Sequence, residues 1–458
     1  MMRTQKQITL ARATRPLETT VALVAHYSKG SYYIFENNDI WYIGLGTHAS
    51  LTFDAQGQIA TTTGSDGQSE SRAITGSPTD LIREFVSEYS SHGKIFGQVG
   101  FNYSARCSGQ AFEPGQWPML DLIVPSVGVI IERSKVSITG DDDEDILRVS
   151  EKIESILEAE LAEDIALPSP VEGEINLNVD AQTYQTRVAN AIADISKAKY
   201  TKAIPSRKVP LDFRVNMLAT LLHGRRANNP ARTFSFNHNG IQATGFSPEV
   251  LLSINGDKAY TEALAGTQLS NSSKASLDPF NNKLHDDIKE VAEHVIAIKG
   301  SIRRLSKLCE PDSIAIKDFM KVMPRGSVQH LHSHVCGNLK PGCDGWDALP
   351  GLIANITVPG LPGDGNSDAM KSFEPDPRDL YCGAVLMLDE GSKLFDATLV
   401  LRTVFQDDSR QWLQAGAGVT INSKPEREYA ETCEKLGSVA PFVVPASNQV
   451  WVYGSLKE

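Results

Sequence analysis

Two pairs of glutamates, far apart in the chain, have the types and spacing to do chemistry: Glu290 with Glu293, and Glu428 with Glu431. Residues three apart share one face of a helix. Two carboxylates on one face repel unless a cation sits between them, so a solvated face is the simpler reading of either pair alone. Taken together, the four acids could form an all-oxygen site for a hard cation such as Mg²⁺. That ion takes one or two carboxylates, keeps waters, and bridges to an anionic substrate. Cations and open backbone stand nearby in sequence. Arg402 lies in the apolar run Leu399, Val400, Leu401 and Val404, and needs an anionic partner if it faces in. Lys435 follows Glu431 by one helical turn, and Gly416 and Gly418 would let backbone amides approach a ligand.

Lys202 and Glu249 are a possible base and acid. Lys202 stands at a helix-to-strand junction, where a lysine is usually a snorkelling surface cation. Pointed into a closed site, it would lose solvation and become a base. Glu249 follows the turn Ser247-Pro248 and precedes Val250, Leu251 and Leu252. The turn Asn255-Gly256-Asp257 between β-prone runs predicts a hairpin, which returns through Lys258 to Glu262 into Ala263-Leu264-Ala265-Gly266-Thr267. A plain surface hairpin with an exposed glutamate is the alternative. The histidines His330, His332 and His334 alternate as on a metal-binding strand, but no Cys or carboxylate nearby in sequence completes a ligand set, so zinc is not expected.

Composition limits the partners. The 458 residues are 41% hydrophobic and 22% charged, with a net charge of −12. An acidic balance argues against nucleic acid or an anionic membrane surface. It also means that an anionic substrate must be met by local cations. Six scattered cysteines without a C-x-x-C pair read as reduced thiols in a cytoplasmic protein. The N-terminus lacks an apolar signal core, and no run reaches the ~20 apolar residues of a membrane span.

The elements that must position these residues follow from periodicity. Residues 20–140 read as β-rich, with hairpins around Glu36–Asp39 and Asp54–Gly57, a helix over 80–89, and a buried strand pair over 120–131. The run Asp141–Asp145 starts a helix carrying Ile146, Val149, Ile153 and Ile156. Pro168-Ser169-Pro170 marks a connector between two halves of one domain: a β-rich half (1–170) and a catalytic half (171–445), followed by a tail (446–458). Asp180 reads as a helix N-cap, 202–209 as a strand and 213–223 as a helix. A long helix over 285–308 has the apolar stripe Ile288, Val291, Ala292, Val295, Ile298, Ile302 and Leu305. Strands are expected over 381–388, 395–405 and 412–419, and Pro425 opens the helix that holds Glu428 and Glu431.

With these residues in place, the chain resembles the chorismate-utilising enzymes (anthranilate synthase component I-like), most closely the salicylate synthases of siderophore pathways. The resemblance spans about 184–444. It rests on YTKAIPSR (200–207), GFSPE (245–249), TEALAGT (261–267), KEVAEH (289–294), RGSVQHLHS (325–333), DLYCGAV (379–385), AGAG (415–418) and PEREYAETCEKL (425–436). It implies an α+β fold of two large antiparallel sheets packed as a sandwich, with helices outside and the site in the cleft. It implies that Lys202 activates water for attack at C2 of chorismate and that Glu249 protonates the departing C4 hydroxyl. Glu293 and Glu431 would bind Mg²⁺, with Glu290 and Glu428 in support. Gly266, Thr267, Tyr381, Arg402, Gly416, Gly418 and Lys435 would hold substrate, and His330 would line the leaving-group side as a catalytic residue.

Residue types separate the relatives. Aminodeoxychorismate synthases have a nucleophilic lysine where this chain has Ala265, and anthranilate synthases have a glutamine at the Lys202 position and use ammonia. Water is therefore the expected nucleophile and isochorismate the first product. Salicylate synthases go on to eliminate pyruvate; isochorismate synthases stop earlier. Salicylate is favoured by RGSVQHL and PEREYAETCEKL; a non-catalytic binding descendant is the remaining alternative. A monomer without a glutaminase subunit is expected. Two departures remove positive charge near the expected mouth: Gly363 follows Pro362 where the family has lysine, and Gln268 stands where a cation is frequent.

Overall fold

The computed structural model describes residues 4–9, 14–160, 175–269, 283–326, 328–353, 374 and 376–446. The connector 168–170, the Gly363 loop and the tail beyond Ala446 fall outside them. Among the described residues there are two antiparallel sheets, one of ten strands and one of eleven. Their facing sides bury a core that runs from Tyr33, Phe35 and Phe96 through Phe234, Phe236 and Leu386 to Phe405. A second apolar cluster fills the space between the ten-stranded sheet and the helices Pro16–Tyr27, Asp143–Glu160 and Met217–Ala227. No helix among the described residues is long and apolar enough to cross a membrane.

Each sheet draws strands from both parts of the chain. In the ten-stranded sheet, Tyr32–Asn37 pairs with Arg232–His238. In the other, Ile95–Val99 pairs with Ala384–Asp389. The turn residues between apolar runs make the predicted hairpins: Tyr32–Asn37 with Ile40–Leu45, and Ala49–Phe53 with Ile59–Thr63.

Two stretches expected as continuous strands or paired strands instead carry the chain from sheet to sheet. Leu120–Val124 lies in the eleven-stranded sheet and Val127–Glu132 in the ten-stranded one. Pro125, with no backbone N–H, stands at the break. The expected strand 395–405 is likewise two: Leu394–Leu399 in one sheet and Thr403–Gln406 in the other, with Arg402 at φ 50° between them. The same crossing occurs between Ile241–Ser247 and Val250–Asn255, at Pro248-Glu249. These last two crossings lie side by side. Ser247 Oγ donates to Leu399 O at 2.6 Å, and Leu399 N donates to Glu249 O at 3.2 Å. Periodicity alone cannot show such a crossing, because the residues stay buried as they leave one sheet for the next.

Other expectations shift. The apolar run 21–24 is helical, within Pro16–Tyr27. The strand expected from 202 begins only at Ser206, and the helix expected from 213 begins at Met217, where Asn216 caps it by accepting from Ala219 N. Asp180 precedes its helix in a left-handed conformation (φ 60°) and makes no capping bond; it pairs with Arg187 instead. The long helix, Ile288–Leu308, buries only part of its expected stripe, at Ile298 and Leu305. Ile288 is 83% exposed, while Glu290, His294, Ala297, Ser301 and Leu305 face in.

Candidate active site

The two adjacent crossings deliver Glu249 and Arg402 to one cavity between the sheets. Its wall also contains Ala265, Thr267, Glu293, His330, Tyr381, Gly416, Gly418 and Lys435. The hairpin Val250–Asn255 and Lys258–Leu269 forms the floor as expected. Gly266, at φ +81°, makes an irregularity in the pairing with Val328–Asn338. That bend sends Thr267 N to Glu290 Oε2 at 2.7 Å.

Lys202 is fully buried, not a surface cation. Reciprocal backbone bonds between Ala203 and Val419 pin its backbone. Its Nζ donates to Glu293 Oε1 at 2.8 Å. Burial works to raise the Glu293 carboxyl, but Lys202 and then Lys289 hold it below the usual range. The approach requires Gly418: a Cβ there would lie 2.5 Å from Glu293 Oε1 and 3.2 Å from Lys202 Cε.

The helices Ile288–Leu308 and Pro425–Leu436 bring the two acid pairs together. Asp287 caps the first helix by accepting from Lys289 N and Glu290 N. Sequence reasoning overlooked Lys289. Its Nζ lies 3.1 Å from Glu290, 3.4 Å from Glu428 and 3.9 Å from Glu431. The only signal was its place beside Glu290. Burial opposes the Lys289 charge, but Glu431 and Glu428 hold its proton more tightly than usual. Lys435 pairs with Glu431 at 2.8 Å and donates to Gly416 O at 3.0 Å. Glu428 is fully buried, and apart from the ion pair with Lys289 neither of its oxygens has a hydrogen-bond partner among the described residues. Burial and Glu431 push it up to about 7.

Across the cavity, burial and then Glu262 push the Glu249 carboxyl well above its ordinary range, so it holds its proton to higher pH than a free carboxyl does. Arg402 donates to Arg325 O at 2.6 Å and to His330 Nε2 at 2.7 Å. No carboxylate among the described residues forms an ion pair with it. Burial, then Arg325, lower it to about 9, which still leaves it charged at neutral pH. His330 Nδ1 meets Thr267 Oγ1 at 3.1 Å, so both ring nitrogens are engaged. Burial and Arg402 keep the ring neutral.

The cavity thus has Arg402, without a carboxylate partner among the described residues, the buried Glu249 carboxyl, and Glu293 with its partner Lys202 behind it. The family described as chorismate binding enzyme matches residues 30–441. The chain belongs to this family. A salicylate synthase of Mycolicibacterium paratuberculosis is 31% identical to this family member over 421 residues, 90% of each chain. Two solved structures share the fold. Anthranilate synthase component I from Streptococcus pneumoniae superposes with a TM-score of 0.71 at 22% identity, covering 89% of this chain and 92% of that one. The menaquinone-specific isochorismate synthase from Escherichia coli gives 0.69 at 19% identity, covering 96% of each chain. As in the expectation from the sequence, this chorismate binding enzyme has two large antiparallel sheets with helices outside.

The acid cluster fits a hard divalent ion. All four side chains offer oxygens, their charges are met by the ammonium groups of Lys202, Lys289 and Lys435, and the two oxygens of Glu428 are buried without a hydrogen bond among the described residues. Of the two departures, Gln268 accepts from Gln329 Nε2 at 3.3 Å and adds no charge.

Proposed function

We propose that this chain is a Mg²⁺-dependent salicylate synthase, which adds water at C2 of chorismate with loss of the C4 hydroxyl and then eliminates pyruvate from isochorismate. The observation that carries the reading is one cavity that joins Glu249, whose carboxyl is pushed up by burial, to Glu293 and its buried partner Lys202, with Ala265 as the floor residue. An alanine supplies no enzyme nucleophile, which leaves water.

In this reading Lys202 takes the proton of the attacking water, and Glu249 gives its proton to the departing C4 hydroxyl. Arg402, held by His330 and Arg325 O, receives a substrate carboxylate in the fork geometry a guanidinium provides. His330 then acts by orienting Arg402 and Thr267. Tyr381, Gly266, Gly416, Gly418 and Lys435 complete the substrate wall. Glu293 and Glu431, supported by Glu290 and Glu428, would hold Mg²⁺, which supplies charge neutralisation for the substrate ring carboxylate. The second stage, transfer of the C2 hydrogen to the enolpyruvyl group, needs enclosure and orientation more than a new catalytic group.

Product analysis tests the proposal. Chorismate and Mg²⁺ should yield equal amounts of salicylate and pyruvate, and EDTA should abolish both. Isochorismate alone would reduce the reading to an isochorismate synthase. No chorismate depletion would favour a binding protein.

A further inference from the structure

Outside the cavity, on the same hairpin, the structure corrects the expectation that the histidine-rich strand lacks a carboxylate. Lys258–Leu269 pairs antiparallel with Val328–Asn338, and the register sets Glu262 directly opposite His334. His332, two residues away, shares their face. We propose that Glu262, His332 and His334 bind a divalent transition-metal ion of the zinc type, at a site separate from Glu290, Glu293, Glu428 and Glu431.

The ligand geometry carries this. Nε2 of His332 lies 3.2 Å and Nε2 of His334 3.1 Å from the same oxygen, Glu262 Oε1. All three ligand atoms lie within 4.8 Å of one another. A tetrahedral ion with bonds of about 2.0–2.1 Å separates its ligand atoms by about 3.3 Å, so the donors need only small shifts. Two imidazoles, one carboxylate and an open position form a zinc-type donor set, whereas the all-oxygen cluster in the cavity suits Mg²⁺.

The outer atoms are already arranged. Glu262 Oε2 accepts from Val250 N at 2.7 Å, which leaves Oε1 for an ion. His334 Nδ1 faces Asp318 Oδ2 at 3.2 Å. A proton on Nδ1 satisfies that contact and leaves the Nε2 lone pair aimed at Glu262 Oε1. Two lone pairs meet there unless a proton or a metal ion lies between them. Asp318 reaches this position from an irregular stretch between Lys317 and Lys321, where its own φ is 51°. A carboxylate behind a ligating imidazole fixes the ring for a metal. His332 Nδ1 is buried without a hydrogen-bond partner among the described residues. The His334 side chain is 30% exposed, which gives an ion access and opens the remaining position to solvent.

The test is a Co²⁺ titration of the chelator-stripped full chain, read by visible absorption and by displacement with Zn²⁺. One tetrahedral-type site per chain is expected. It should persist in Glu431→Gln and disappear in His334→Gln, a partly exposed position whose loss the fold tolerates. Asp318→Asn should weaken binding about 10–100-fold. The absence of a cobalt band in the unaltered chain would overturn the proposal and leave a protonated His334 between two carboxylates. A band lost in Glu431→Gln and kept in His334→Gln would also overturn it.

Discussion

Lys202 and Glu293 form one buried unit: the proposed base is hydrogen-bonded at 2.8 Å to a proposed metal ligand. Neither partner can be altered without changing the other's charge environment. Lys202→Ala should lower chorismate turnover by about 10²–10⁴-fold, the range for loss of a positioned base. It should also change the Mg²⁺ concentration at half-maximal rate, because Glu293 loses its cation. Steady-state rates over a Mg²⁺ series, with circular dichroism as a check of folding, measure both effects. An unchanged turnover would remove Lys202 from the mechanism.

The raised Glu249 carboxyl fixes the sign of a pH effect. An acid whose folded pKa lies above its free value holds its proton to higher pH. The proton it donates is therefore kept to higher pH than on a free carboxyl and lost as pH rises through that raised pKa. The profile of kcat/KM should fall on its alkaline side. Glu249→Gln should abolish turnover while chorismate still binds, as measured by tryptophan fluorescence titration. An alkaline limb that stays flat in the unaltered enzyme would exclude Glu249 as the acid.

Gly418→Ala should act through sterics alone. The added methyl would meet Glu293 Oε1 at 2.5 Å and Lys202 Cε at 3.2 Å. Overpacking of this kind costs about 1–3 kcal/mol, so a lower Tm is expected. Turnover should drop at least about tenfold, since the pair must separate and 1.4 kcal/mol corresponds to a factor of ten. Full activity in this variant would mean that the pair has no catalytic part.

Asp121, far from the cavity, gives a prediction about stability. It is fully buried, and burial pushes its carboxyl up to about 7. Its Oδ1 accepts from Thr52, while Oδ2 has no hydrogen-bond partner among the described residues. His238, 3.6 Å away, offers no compensating charge, because burial lowers it to about 4. The folded chain thus holds a proton that the unfolded chain releases at lower pH. Its contribution is present at low pH and lost as pH rises toward 7. Asp121→Asn should therefore stabilise the protein by about 1–2 kcal/mol at pH 8 and by little at pH 4. Denaturant melts at the two pH values would decide it, and equal effects at both would refute it.

The sequence carried local geometry well and tertiary crossings poorly. The turns Glu36–Asp39 and Asn255–Asp257 lie where their residue types place them, because turn chemistry is local. The acid pairs were legible from spacing, and the motifs pointed to the cavity residues. The Ile288–Leu308 helix misled. Its apolar stripe implied one buried face, yet Ile288 is exposed and Glu290 buried, because the cations Lys289 and Lys435 make burial of acids tolerable. Lys289 escaped notice for the same reason, since a lysine among charged neighbours reads as surface. Arg402 was marked as needing an anion if it faced in, but not as the pivot where the chain changes sheets.

The shared sheets have a consequence for how the chain can be divided. The residues proposed for chemistry all follow position 200, yet five strands of each sheet come from the first 140 residues. A fragment beginning at 171 would leave Arg232–His238 without Tyr32–Asn37, and Ala384–Asp389 without Ile95–Val99. Two central strands would become naked edges, each offering a row of unpaired amides and carbonyls to any other chain. The first third of the protein therefore serves the cavity as a splint: it contributes none of the proposed reactive groups, but it keeps the strands that carry them from seeking partners elsewhere.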